Sequence, residues 1–182
     1  MARMRDIDFA RIELLVLDVD GVMTDGRVIL SSTGDEIKAF HVRDGSGMKY
    51  WKRVGKKLAI ITGRGSQAVA NRAQELSVDA LRMHAKDKLP ALREIWAELD
   101  CTAEQTAVIG DDLTDLPLLL RCAFPVAVPD AAAEAREAAA YVTQRPGGGG
   151  CVREVVEVIL KKAGLWQEIL ARYKAADEVA DS

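Results

Sequence analysis

Short apolar runs recur along the chain, each ending in polar residues and separated from the next by a segment of helical period. Residues 12–17, IELLVL, are followed at once by Asp18. A short, largely apolar run of this kind predicts a strand buried on both faces, as in a parallel sheet, with polar residues at its carboxyl end. Similar runs at 57–61 (KLAII), 106–109 (TAVI) and 125–128 (PVAV) predict three more strands. Between them, apolar residues at three- and four-residue spacings predict helices over 46–54, 66–76, 87–99, 113–122 and 131–139. Alternating strands and helices imply an α/β fold, a doubly wound parallel sheet of Rossmann-like type.

One segment breaks the alternation. Residues 27–30 and 36–42 flank Ser31-Ser32-Thr33-Gly34-Asp35, a turn-rich stretch that predicts a β-hairpin projecting from the sheet. Pro90, shortly after Asp87, suits a first helical turn capped near Asp87, which places Lys88 at a helix start. Leu165, Trp166, Ile169 and Leu170 predict a helical tail over 164–182 that frays in its polar last residues. Residues 1–163 are expected to form one domain.

Composition narrows the function classes. The 182 residues are 49% apolar and 29% charged, ordinary values for a globular protein. The net charge of -3 supplies no basic field for a nucleic acid, and no apolar run is long enough for a membrane span, so neither is an expected partner. With no secretory leader, the expected location is the cytoplasm. Cys101, Cys122 and Cys151 are odd in number and widely spaced, which fits reduced thiols, and with only His41 and His84 beside them a Cys/His zinc cluster is not expected.

The chemistry lies at strand ends. Asp18-Val19-Asp20-Gly21 follows the first strand, and two carboxylates two residues apart can hold a hard cation and divide covalent from proton-transfer work. Thr62-Gly63-Arg64 follows the second, where a hydroxyl and a backbone amide can bind a phosphate oxygen; Lys88 can place a charge on the same phosphate. Gly110-Asp111-Asp112-Leu113-Thr114-Asp115 follows the third. Two acidic clusters on one sheet edge repel unless a cation lies between them, so Asp18, the Asp20 backbone carbonyl and Asp111 are expected to bind magnesium.

The series DVDGVMTDG, ITGR, Lys88 and GDDLTD, spread over residues 18–115, resembles the four motifs of the haloacid dehalogenase superfamily. The resemblance implies that Asp18 attacks phosphorus, that Asp20 protonates the leaving oxygen and later activates water, and that Thr62 and Lys88 bind the transferring group. It further implies that Asp111, assisted by Asp112 and Asp115, holds the metal. The intervals between motifs leave no room for a cap domain. With HVRDGSGMK (41–49) and GGGGCVREVVEVIL (147–160), the layout resembles the 3-deoxy-D-manno-octulosonate 8-phosphate phosphatases, over about residues 12–160. Those are homotetramers acting on small phosphorylated keto-sugar acids of lipopolysaccharide synthesis, with active sites completed by neighbouring subunits. The resemblance implies that Gly148, in a glycine-rich segment, reaches an adjacent subunit's site and that Arg64 recognises the substrate carboxylate; Arg72 joins it as a second substrate ligand. The alternatives are a flexible linker at 147–150 and surface ion pairs at both arginines.

His84 stands where the family has glycine, and Lys86 is an alternative to Lys88. A nine-carbon substrate remains open, as does another small sugar phosphate or a non-catalytic relative. A phospho-accepting signalling receiver is disfavoured because the paired aspartates here end the first strand rather than a middle one.

Overall fold

The computed structural model describes residues 4–175, so the fraying expected of the last residues lies outside the described part. Strand β1 (Leu14–Leu17) leads into the loop of the first aspartates, and the short strands β2 (Ile29–Leu30) and β3 (Glu36–Ile37) pair antiparallel as the hairpin. There follow α1 (Val42–Arg53), β4 (Lys57–Ile61), α2 (Gln67–Glu75), β5 (Ala80–Arg82), α3 (Lys88–Glu98) and β6 (Thr106–Gly110). The chain closes with α4 (Leu116–Leu119), β7 (Phe124–Ala127), α5 (Ala133–Ala138), β8 (Tyr141–Val142), α6 (Cys151–Lys162) and α7 (Trp166–Lys174).

The six-stranded sheet is parallel throughout, in the order β5-β4-β1-β6-β7-β8. From β1 the chain winds outward through β4 and β5, then returns to the other side of β1 at β6. The winding therefore reverses at β1, and ligands of open α/β sheets bind at the carboxyl ends of strands flanking such a reversal. Leu17 is in register with Ile60 on one side and Ile109 on the other, which aligns the ends of all three motif-bearing strands.

All of β1 and β6 is buried. Each fully buried Leu or Ile stabilises the fold by roughly 1.5–3 kcal/mol. Several such residues per strand outweigh the cost of gathering like charges at the strand ends, which is why the sheet can carry an acidic edge.

Three boundaries differ from the sequence reading. Helix α1 begins at Val42, not residue 46, and so takes the end of the expected hairpin arm; the His41 side chain caps it, Nδ1 accepting from Arg43 N at 3.2 Å. Gly45 and Gly47, poor helix formers, are tolerated inside it because the packing needs their lack of a side chain: a Cβ on Gly47 would lie 2.9 Å from Arg153 Cα of α6. The segment 113–122 forms a 3-10 turn and then the short α4 instead of one helix. Helix α6 was not anticipated, although Val152, Val155, Val156, Ile159 and Leu160 stand at helical spacing and are all buried. The buried Asp44 of α1 ties the two helices together, its Oδ1 accepting from Arg153 N at 2.7 Å. The tail helix α7 docks through Trp166 and Tyr173, whose rings each meet Tyr50 edge-on at 6.0 Å between centroids.

Candidate active site

Asp18 leaves β1 with its backbone N–H bonded to Ile109 O of β6 at 3.2 Å, so the two central strands hold it between them. Lys88, at the start of α3, is buried; its Nζ lies 2.9 Å from Asp18 Oδ1 and 2.6 Å from Asp115 Oδ1. Burial works against the ammonium, but the Asp18 and Asp115 carboxylates outweigh it and hold the Lys88 pKa above its usual value. This makes Lys88 rather than Lys86 the central cation, since Lys86 is exposed at the rim.

Asp115 has little capacity left. Its Oδ1 takes Lys88, and its Oδ2 accepts from the backbone N–H groups of Asp111 at 3.0 Å and Asp112 at 3.3 Å. It is the anchor that shapes the loop after β6. Asp111 is the opposite case, because its Oδ1 is buried with no hydrogen-bond partner among the described residues. Oxygens of Asp18, Asp111 and Asp115 all lie within 4.8 Å of one another. Burial, together with the charges of Asp18 and Asp115, pushes the Asp111 pKa up to about 8. Burial and Asp115 likewise raise Asp18 to about 6, against the opposing pull of Lys88. Buried carboxylates that repel each other, one with an orphaned oxygen, fit a hard divalent cation bound between Asp18 and Asp111. The Asp20 carboxylate stands outside this cluster, which leaves its backbone carbonyl as the group available for the metal role expected of it.

Gly21 lets these groups meet. Its φ of +91 is a conformation that favours glycine, and its Cα lies so close to Asp111 that a Cβ would sit 2.5 Å from the Asp111 Cγ.

A cleft of about 400 Å³ opens over the cluster, lined by Asp18, Asp20, Thr62, Gly63, Arg64, Lys86, Lys88, Asp111 and Asp112 among others. The buried Thr62 accepts from Arg64 N at 3.3 Å through Oγ1, which leaves its hydroxyl proton for a ligand in the cleft. Asp20 faces the base of the hairpin, ion-paired to Lys38, with Arg64 Nε 3.9 Å from its other oxygen. The sequence reading missed Lys38 and Glu36: the contact spans 18 residues, and neither residue lies in a motif. His84 has φ +59, the region glycine enters most easily, and its ring stacks close over Gly65 at the rim.

Two expected substrate ligands are placed elsewhere. Helix α2 starts beside the cleft and runs away from it at about 1.5 Å per residue, so Arg72 ends up roughly 9 Å along its axis from the capping Ser66. There Arg72 pairs with Glu75 at 2.6 Å and lies over the Phe40 ring. Gly148 does not line the cleft of its own chain. Its N–H donates to Val22 O at 2.9 Å, and a Cβ on it would lie 2.6 Å from Asp25 N. The glycine-rich segment is thus packed tightly under the first aspartate loop, which excludes the linker reading.

A family model described as haloacid dehalogenase-like hydrolase matches residues 81–154. The chain is 45% identical, over 83% of its length and 81% of the relative's, to the 3-deoxy-D-manno-octulosonate 8-phosphate phosphatase of Yersinia pestis. It is 40% identical to that of Escherichia coli K12, over 86% of this chain and 84% of the relative. Among solved structures, the Moraxella catarrhalis 3-deoxy-D-manno-octulosonate 8-phosphate phosphatase, crystallised with magnesium, phosphate and the sugar acid, superposes with a TM-score of 0.88. That match has 40% identity and covers 91% of this chain and 95% of the other.

Proposed function

Because this chain belongs to the 3-deoxy-D-manno-octulosonate 8-phosphate phosphatases, a family of haloacid dehalogenase-like hydrolases, we propose that it hydrolyses 3-deoxy-D-manno-octulosonate 8-phosphate to the free sugar acid and phosphate with magnesium as cofactor. The observation that carries the reading is Asp18, buried at the sheet's reversal point and held by Lys88, with the partnerless Asp111 oxygen facing it.

An oxygen of Asp18 attacks phosphorus, the bond from phosphorus to the sugar oxygen breaks, and Asp20 gives its proton to that leaving alkoxide. Asp20, now a carboxylate, takes a proton from water as the water oxygen attacks phosphorus, and the bond from phosphorus to Asp18 breaks. Thr62, the Gly63 amide and Lys88 hold the phosphoryl oxygens. Asp18, Asp111 and the Asp20 carbonyl would hold magnesium, which would supply positive charge against the phosphoryl oxygens. Arg64, half-exposed in the cleft, is placed to meet the sugar carboxylate.

We further propose a homotetramer whose neighbouring subunits complete each cleft. Val28, Ile29, Leu30 and Ile37 of the hairpin are 44–63% exposed, apolar residues that assembly would cover. The free cysteines fit the reducing cytoplasm; among the described residues no helix is long and apolar enough to cross a membrane.

The test is phosphate release with magnesium across a panel of sugar phosphates. A preference of about 10-fold to 100-fold for the eight-carbon acid is expected; a preference for a nine-carbon acid or another sugar would keep the chemistry and overturn the substrate.

The metal also predicts a pH dependence. Asp18 and Asp111 have folded pKa values above the unfolded carboxylate value, so without metal their cost to the fold is absent below the unfolded value near 4 and grows as pH rises toward about 8. A cation removes that cost. Magnesium is therefore expected to raise Tm more at pH 8 than at pH 5.5, measured by calorimetry; an equal rise at both would contradict the assigned ligands.

A further inference from the structure

We propose that Lys38 is a positioning residue for the proton-donating Asp20, an inference that rests on the phosphatase reading. Lys38 follows β3 on the returning arm of the hairpin, and its side chain is only 1% exposed. Its Nζ donates to Asp20 Oδ1 and lies 2.6 Å from Glu36 Oε1. On the other side, Arg64 Nε stands 3.9 Å from Asp20 Oδ2, and Arg64 Nη2 donates to Glu36 Oε2 at 3.3 Å. Asp20, Lys38, Glu36 and Arg64 close a ring of alternating acidic and basic side chains, with Asp20 as the member through which it acts on the reaction.

Neither substrate binding nor simple stability accounts for a lysine here. At 1% exposure, Nζ meets a ligand in the cleft only by breaking both of its ion pairs. Desolvating an ammonium costs several kcal/mol before pairing offsets it, and an apolar side chain filling the same space avoids that cost. What an apolar side chain lacks is a donor for one particular oxygen. Asp20 needs such a donor because the loop does little to orient it: Asp20 has extended backbone (φ −78, ψ 114) and is followed by glycine in the left-handed region.

The single contact at Oδ1 also distinguishes the two oxygens. Lys38 occupies Oδ1, which leaves Oδ2, on the Arg64 side, as the oxygen available to the leaving group. As the bond from phosphorus to the sugar oxygen breaks, Asp20 gives its proton to the leaving oxygen, and Lys38 keeps its own protons throughout.

The test compares two leaving groups in single-turnover phosphoryl transfer to the protein. Alkoxide release from 3-deoxy-D-manno-octulosonate 8-phosphate needs a proton; nitrophenolate release from p-nitrophenyl phosphate does not. Lys38→Met is expected to slow transfer from the sugar phosphate about 10-fold to 100-fold and from p-nitrophenyl phosphate less than about 3-fold. Lys38→Arg is expected to restore most of the loss. In an Asp20→Asn background, Lys38→Met is expected to add nothing, since it acts through the missing group. Equal losses on both substrates, or an additive loss in the Asp20→Asn background, would overturn the proposal. If Lys38→Met does not fold, Glu36→Gln carries the same comparison, with the sugar phosphate again the more affected. A wild type that accepts phosphate from neither compound would instead sink the phosphatase reading, and the proposal with it.

Discussion

Asp18→Asn is expected to lower phosphate release by roughly 10⁴-fold or more, because it removes the nucleophile itself. The substitution keeps the shape of the side chain and an oxygen that can accept from Lys88 Nζ, so the Lys88 to Asp115 pair stays in place. It also removes one member of a repelling cluster. Burial and the Asp115 charge hold the Asp18 pKa above its usual value, so ionising it costs the metal-free fold stability at neutral pH. Melting without metal is therefore expected at an unchanged or higher temperature than wild type, while activity disappears. The decisive measurements are phosphate release and covalent incorporation of labelled phosphate into protein. A folded variant that still incorporates phosphate would place the nucleophile elsewhere.

Gly21→Ala is the second substitution with a large expected effect. Alanine at φ +91 meets backbone strain of about 1–2 kcal/mol. The steric effect is larger, because the new Cβ would overlap the Asp111 carboxylate, lying 2.5 Å from its Cγ. Asp111 has to move, and displacement of a metal ligand by about 1 Å costs on the order of 100-fold in rate. Gly55→Ala separates the two causes: Gly55 has φ +80 with nothing within 4 Å of a Cβ, so its substitution imposes strain alone. The expected pattern is lower stability in both variants, but lost magnesium affinity and lost turnover only in Gly21→Ala. Full activity in Gly21→Ala would show that Asp111 is free to move and undermine its role as a metal ligand.

Much of this site is legible from sequence because its parts are local. An apolar run followed by Asp18, or by Thr62, or by Asp111 carries both the strand and the side chain at its end, and a parallel sheet brings such ends to one edge. Lys88 is legible for the same reason, as a helix start marked by Asp87 and Pro90. The structure adds which lysine is buried, and it divides the acids by function: Asp115 saturated by Lys88 and two N–H groups, Asp111 left with an open oxygen.

What sequence reasoning misread depended on packing between distant segments. Gly45 and Gly47 argue against a helix locally, but α6 presses on α1 so closely that only glycine fits at 47. Arg72 has the right chemistry for a substrate ligand, and the direction of α2 takes it away from the cleft of its own chain. The glycines at 147 and 148 admit a linker reading, whereas they pack against Gly21 to Asp25 of their own chain.

The sequence by itself therefore determined the doubly wound sheet, the three strand-end motifs and the acid-rich character of the site, since each follows from the period of its own segment and the residue that ends it. Only the tertiary structure decided that Lys38 and Glu36 stand behind Asp20, that Gly21 lies beneath Asp111 and that Arg72 faces away. Those relations join segments tens of residues apart, and they are set by which backbones approach closely, something no local pattern records.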